Sequence, residues 1–216
     1  MTPDAYALIA VALLQGAIVT VEVSVGALIV AIVLGMALAA ARFLFPRPAC
    51  LFPIGIYVEF FRNIPSLTHL LLLYFGLAYL GLRLPSLVAA ILGLGLIGGA
   101  VLADVFRAGF QAVPAGQREA AAAVGLTPLQ AFCLVVLPQG LRISLPSLGN
   151  YAIALVKDTS LVAAIAAPEI MFNARQIVNQ TFQTSLVYGS AAALYLVMTF
   201  SLGRLVNRIE RRVGHS

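Results

Sequence analysis

The residues able to do chemistry are few, and most sit where a hydrophobic chain would not be expected to hold them. "LVKDTSL" places Lys157, Asp158, Thr159 and Ser160 in an otherwise apolar run, and "RNIPSLTHLL" places Asn63, Ser66, Thr68 and His69 beside Pro65 in another. A zwitterion needs a cation for its carboxylate and an acceptor for its ammonium, and Lys157 with Asp158 supplies both. The plainer reading is that this pair meets groups on neighbouring helices, and the two readings stand side by side. His69 alone reads as a bundle residue before it reads as a ligand. Asp104 and Arg107 are three apart, which on a helix makes a local ion pair that Arg62 could join. Glu22 is a carboxylate inside the first apolar run, as an outer gate, a partner for Lys157 or a snorkelling side chain. No GxxxxGK[ST], HExxH or GxSxG pattern occurs, which excludes a phosphate loop and these hydrolytic centres. Neither a metal site nor a disulfide is expected from Cys50 and Cys133, which the topology below places in a reducing compartment.

The elements that must position these residues are apolar spans. Of 216 residues 62% are hydrophobic and 10% charged, with a mean hydropathy of +1.02, against about 25% charged in a soluble domain. Charge-poor runs recur at about the 20 residues that cross a bilayer as a helix, far too long for strands of a transmembrane β-barrel. The expectation is an all-α polytopic bundle of five transmembrane helices, at about 17–42, 57–82, 86–109, 142–167 and 184–206. The opening run exceeds one span, so residues 1–16 are expected along the outer interface, with Gln15–Gly16 as the bend. With Asp4 instead of a basic leader, that run is expected to be retained.

Arginine sets the orientation. With the N-terminus outside, ten arginines (42, 47, 62, 107, 118, 142, 204, 208, 211 and 212) fall inside and only Arg83 and Arg175 outside. The positive-inside rule therefore selects N-out, C-in. The net charge of +5 is a topology signal here, with no nucleic-acid partner implied.

Between the third and fourth spans lies "GQREAAAAVGLTPLQAFCLVVLPQG", within a cytoplasmic loop at 111–140. Arg118 to Val124 favours helix, Gly125 is a natural terminator, and Thr127–Pro128 restarts a helix that ends at Pro138. An interfacial connector would read much the same. The order Glu119-Ala120-Ala121, three residues, Gly125, nine residues, Val135, one residue, Leu137-Pro138 resembles the EAA loop of ABC importer permeases, with Val135 in place of the family's Ile. "YVEFFRNIPSLTHLLLLYFGL", "GGAVLADVFRAGFQAVPAGQREAA" and "LPSLGNYAIALVKDTSLVAAI" are similar to the polar amino-acid branch of that family. Asn63-Ile64-Pro65 departs from its Gly-Thr-Pro.

This resemblance implies one type-1 transmembrane domain over 1–216, with a core of about 17–206, in a bacterial inner membrane. It implies a non-enzymatic permease subunit of an importer for a polar amino acid or a related compound such as an opine. Two ATPase subunits, a second permease copy or a sibling, and an extracytoplasmic solute-binding protein would be its partners. ATP and magnesium would sit on the ATPases, with no cofactor on this chain. Glu119, Ala120, Ala121, Gly125, Leu137 and Pro138 would form the coupling helix that docks on the ATPase. Asn63, Ser66, Thr68, His69, Lys157, Asp158, Thr159 and Ser160 are the candidates for the substrate pathway. A secondary transporter would instead need paired repeats of broken helices, and none is visible. A non-transporting membrane assembly protein gives no reason for the EAA spacing.

Overall fold

The computed structural model describes residues 3–213, with side chains for 6–212. The helices are α1 (Pro3–Leu44), α2 (Pro48–Asn63), α3 (Ser66–Tyr79), α4 (Ser86–Gln111), α5 (Ala115–Ala123), α6 (Pro128–Ile165), α7 (Ile170–Thr181) and α8 (Thr184–Val213). Among the described residues, α1, α4, α6 and α8 are long and apolar enough to cross a membrane. The span expected at 57–82 is not one rod. Ile64 and Pro65 are extended, at ψ 138° and 136°, and separate α2 from a shorter apolar α3. A proline has no N–H to continue the ladder and biases its predecessor away from helix, so the break falls at Ile64–Pro65.

Two other expectations are corrected by local packing. Gln15–Gly16 does not bend α1, which is helical without interruption from Pro3 to Leu44; residues 1–2 of the expected interfacial stretch lie outside the described residues. Gly16 is small because the backbone at Glu169–Ile170 lies against it, where a Cβ would come within 2.8 Å. Nor does Pro138 end its helix. A wider π turn at Phe132–Val136 precedes it and α6 continues through it. One extra residue in the turn is how a helix accommodates an interruption to its hydrogen-bond ladder.

The core is built on α4. It runs alongside α1 in the same direction, with Gly95 facing Val30, Gly98 facing Ala31 and Gly99 facing Leu34. It runs opposite to α6, where Ser144 donates to the carbonyls of Val105 (3.4 Å) and Gly140 (2.8 Å). Small residues let helix backbones approach closely, and packing of this kind drives helix association in lipid. α8 then lies antiparallel on α6, with Val206 against Gly149 and Ile153 against Gly203.

The last turns of α6 and the start of α7 are fixed by local hydrogen bonds. Thr159–Ile165 tightens into a 3-10 stretch, and Glu169 caps α7 by accepting from the Phe172 N–H at 2.7 Å. Its carboxylate, fully buried, also accepts from the Tyr195 hydroxyl of α8 at 2.5 Å. The Ile170 N–H reaches Thr20 of α1 at 3.5 Å, so α1, α7 and α8 meet around one acidic residue. Ile170, Ala174 and Ile177 face that contact at helical spacing.

Candidate functional site

Two sites follow from this frame, one at mid-bundle and one in the polar loop. The break between α2 and α3 opens a cavity of about 480 Å³ bounded by Arg62, Asn63 and Ser66 on one side and Tyr151 and Asp158 on the other. Leu94, Ile97 and Val101 of α4 form its apolar wall. Irregular backbone at membrane depth is tolerated where it lines a cavity, and an ionisable residue there is a functional candidate. Tyr151, Leu155 and Asp158 share a helix face at i, i+4 and i+7, which is how α6 presents a carboxylate and a phenol together.

The structure thus brings Asn63, Ser66 and Asp158 together and leaves the other pathway candidates elsewhere. Lys157, about 100° further around the helix, lines a separate cavity of about 300 Å³ with Ser160, Tyr188 and Tyr195. Thr159 is buried and donates to the Val156 carbonyl at 2.7 Å. Thr68 is exposed on α3. His69 is buried against Phe60 and Phe61, with ring centroids at 5.0 and 4.8 Å, and its Nε2 has no hydrogen-bond partner among the described residues. Arg62 and Tyr151 were not singled out as cavity residues from sequence. The i, i+7 spacing of Tyr151 and Asp158 carried the signal for the second.

Arg62 faces two ways. It lines the cavity and also pairs with Asp104 Oδ2 at 2.5 Å. Asp104 further receives Arg42 of α1 at 3.2 Å and, as expected from their spacing, Arg107 at 3.4 Å. One carboxylate therefore ties the ends of α1, α2 and α4 through three guanidiniums.

In the polar loop, α5 is a short helix after Pro114, and Gly125 follows it at φ +80° with nothing within 4 Å of a Cβ. Gly125 is there for its backbone conformation, since left-handed φ costs other residues roughly 1–2 kcal/mol. Thr127 starts α6 with a reciprocal cap: its hydroxyl accepts from the Gln130 N–H and its own N–H donates to Gln130 Oε1. Glu119 and Ala120 are exposed, Ala121 is buried, and Leu137 and Pro138 lie beyond the π turn. Gln139 Nε2 donates to Gln117 Oε1 at 3.4 Å and to the Val135 carbonyl at 3.0 Å, joining α5 to α6. Beneath them Phe132 packs tilted against Phe43 of α1 and edge-to-face with Phe110 of α4, at centroid distances of 5.3 and 5.2 Å. The α5 segment is thus joined to α6 above packed aromatic rings from α1, α4 and α6.

A helical membrane bundle with a polar, ionisable mid-bundle cavity and an exposed helix seated on its spans is the arrangement of a membrane transport component. Residues 31–215 match the binding-protein-dependent transport system inner membrane component family, and the chain belongs to it. It is similar to the probable glutamine ABC transporter permease protein GlnM of Bacillus subtilis, 39% identical with 91% of each chain covered. It is also similar to the octopine transport system permease protein OccM of Rhizobium meliloti, 34% identical over 93% of this chain and 85% of that one. The glutamine transport system permease protein GlnP of Escherichia coli K12 is 30% identical over 93% and 92%. Among solved structures, an amino acid ABC transporter crystallised with histidines superposes at a TM-score of 0.87, 32% identical, covering 98% of this chain and 100% of that one. The chain is accordingly a permease subunit of an ABC importer.

Proposed function

We propose that this permease carries a polar amino acid or a closely related zwitterion, binding it in the cavity at the α2–α3 break. The observation that carries the reading is the convergence of Arg62 and Asp158, one cation and one anion, on a single mid-bundle cavity with Asn63 and Ser66 between apolar walls. Asp158 accepts from the substrate ammonium, and Arg62 donates to its carboxylate. Charge-assisted hydrogen bonds are roughly twice as strong as those between neutral groups. Because Arg62 is already held by Asp104, a substrate carboxylate competes with Asp104 for that guanidinium, which links occupancy of the cavity to the ion pair joining α1, α2 and α4. The names of the similar proteins, for glutamine and octopine, favour this substrate class.

The chain works in a bacterial inner membrane, N-terminus outside and C-terminus inside, with a second permease copy or a sibling completing the pathway across an axis along the membrane normal. Two ATPase subunits sit beneath the loop at 111–140, and a solute-binding protein delivers substrate from outside. Glu119, Ala120, Ala121 and Gly125 of the coupling segment, with Leu137 and Pro138 behind them, transmit ATP-driven closure to the spans, which alternate between outward and inward access. ATP and magnesium belong to the ATPases. The test is uptake of labelled amino acids by the whole complex in proteoliposomes. Asp158→Asn is expected to abolish ATP-dependent uptake of the transported amino acid, with Asp158→Glu retaining part of it. Uptake that needs no ATP, or that survives Asp158→Asn unchanged, overturns the reading.

A further inference from the structure

At the basic end of the bundle, beside the Asp104 network, a cleft of about 390 Å³ opens between the last turn of α1, the start of α2 and the last turns of α4. Arg42, Arg107 and Gln111 supply its polar lining and Phe43, Pro46 and Leu51 its apolar lining. Asp104 is the carboxylate paired with Arg42, Arg62 and Arg107, so the cluster carries three positive charges against one negative. Glu59, the acidic residue of α2, is instead engaged with the Asn63 amide at 2.6 Å. Arg107 is held toward the cleft by its Nη1, which donates to Gln111 Oε1 at 3.1 Å. Arg42 is only 15% exposed, so part of the cluster's excess positive charge is held partly out of water, where an anion is bound more strongly than at an open surface. Phe45 and Phe52, next in sequence to the lining residues Pro46 and Leu51, are 57% and 72% exposed.

We infer that this cleft binds the headgroup phosphate of an anionic glycerophospholipid, with the acyl chains lying over Leu51, Phe45 and Phe52. Two guanidiniums present forked donors that match phosphate oxygens. Basic pockets between membrane helices, level with the headgroups, recognise anionic lipids, each cation being worth about 1 kcal/mol. The mixture of excess cation and exposed aromatic surface distinguishes a lipid from a free anion, which would use only the first, and from an acidic protein segment, which would leave the aromatics in lipid or water uncovered. By tying down α1, α2 and α4 at one point, the lipid steadies the ion-pair network from which Arg62 reaches the mid-bundle cavity.

The experiment uses the detergent-solubilised complex carrying this chain and phosphatidylglycerol labelled on an acyl chain, read by anisotropy. Unlabelled phosphatidylglycerol is expected to displace the label, whereas phosphatidylcholine and inorganic phosphate are not. Arg107→Gln is expected to weaken binding about fivefold. Because Arg107 belongs to the Asp104 network, Gln111→Glu and Leu51→Glu are measured beside it. Both put a negative charge into the cleft without removing a partner of Asp104, and both are expected to weaken binding at least as much. Equal displacement by phosphatidylcholine, displacement by inorganic phosphate, or unchanged affinity in the two acidic variants overturns the proposal. Loss of ATPase subunits from the Gln111→Glu complex with lipid affinity intact would assign the cleft to a protein contact and overturn it as well.

Discussion

Gly98 is the position where the closeness of α1, α4 and α6 can be tested by a single methyl group. A Cβ built there would overlap the Tyr151 hydroxyl and lie 2.6 Å from the Ala31 Cβ, against the 3.5–4.0 Å of an optimal carbon contact. Tyr151 can move at its tip, but Ala31 can move only with the α1 backbone, so the two helices must separate by about 1 Å. Overpacking of this kind costs roughly 1–3 kcal/mol, while replacing a helical glycine by alanine returns about 1 kcal/mol through helix propensity. Those opposing effects make Gly98→Ala ambiguous alone, so Gly189→Ala in α8 serves as the reference, since nothing lies within 4 Å of its Cβ. Propensity is common to both substitutions and cancels in the difference. The complex with Gly98→Ala should melt below that with Gly189→Ala by roughly 2–12 °C, taking about 2–4 °C per kcal/mol for a chain of this size. Uptake should fall too, because the displaced Tyr151 ring borders the cavity. Equal melting temperatures for the two variants would refute the close packing of α1 on α4 as the organising contact of the bundle.

Glu169→Ala should be among the most damaging substitutions outside the cavity. It removes the α7 cap and leaves the Tyr195 hydroxyl and the Phe172 N–H without their acceptor, each worth about 1–3 kcal/mol when buried; a melt of the complex matching wild type would contradict this. At Gly125, with φ +80°, Gly125→Val should lower uptake per ATP hydrolysed far more than Gly125→Asn, because asparagine tolerates the left-handed region and a β-branched residue does not. Equal coupling ratios would show that the turn is not needed. Glu119→Lys, which reverses the exposed charge of α5, should leave folding intact by thermal melt and abolish substrate-stimulated ATP hydrolysis; normal stimulation would remove Glu119 from the coupling contact.

What the sequence made visible was what is decided locally. Charge-poor runs located α1, α4, α6 and α8 because a bilayer requires length and apolarity of the segment itself. Gly125, Thr127 and Pro128 announced the turn and the next helix start because caps and φ are set by neighbours within a few residues. Pro138 misled because its missing N–H is absorbed by the π turn at Phe132–Val136, an adjustment that composition does not encode. Gly16 looked like a hinge but is a contact point for Glu169–Ile170, more than 150 residues away in sequence. The cavity was half legible. Polar type flagged Asn63, Ser66 and Asp158, but only the rotation of α6 sends Lys157 to a different cavity from its neighbour. Arg62 read as a partner for Asp104, and its second face emerged once the break at Ile64–Pro65 turned α2 toward α6.

We propose that this permease takes its energy from an ATPase docked on α5. Cross-linking from Ala120, exposed on that helix, tests it most directly. Cys50 and Cys133 are first replaced by serine, Ala120→Cys is introduced, and the tagged protein in native membranes is treated with a short bismaleimide before purification. One new covalent adduct containing the ATPase subunit is expected, absent when cysteine is placed instead at Tyr79, which is 91% exposed beyond the other end of the bundle. Purification without an ATPase, or an adduct from position 79 and none from position 120, would contradict it.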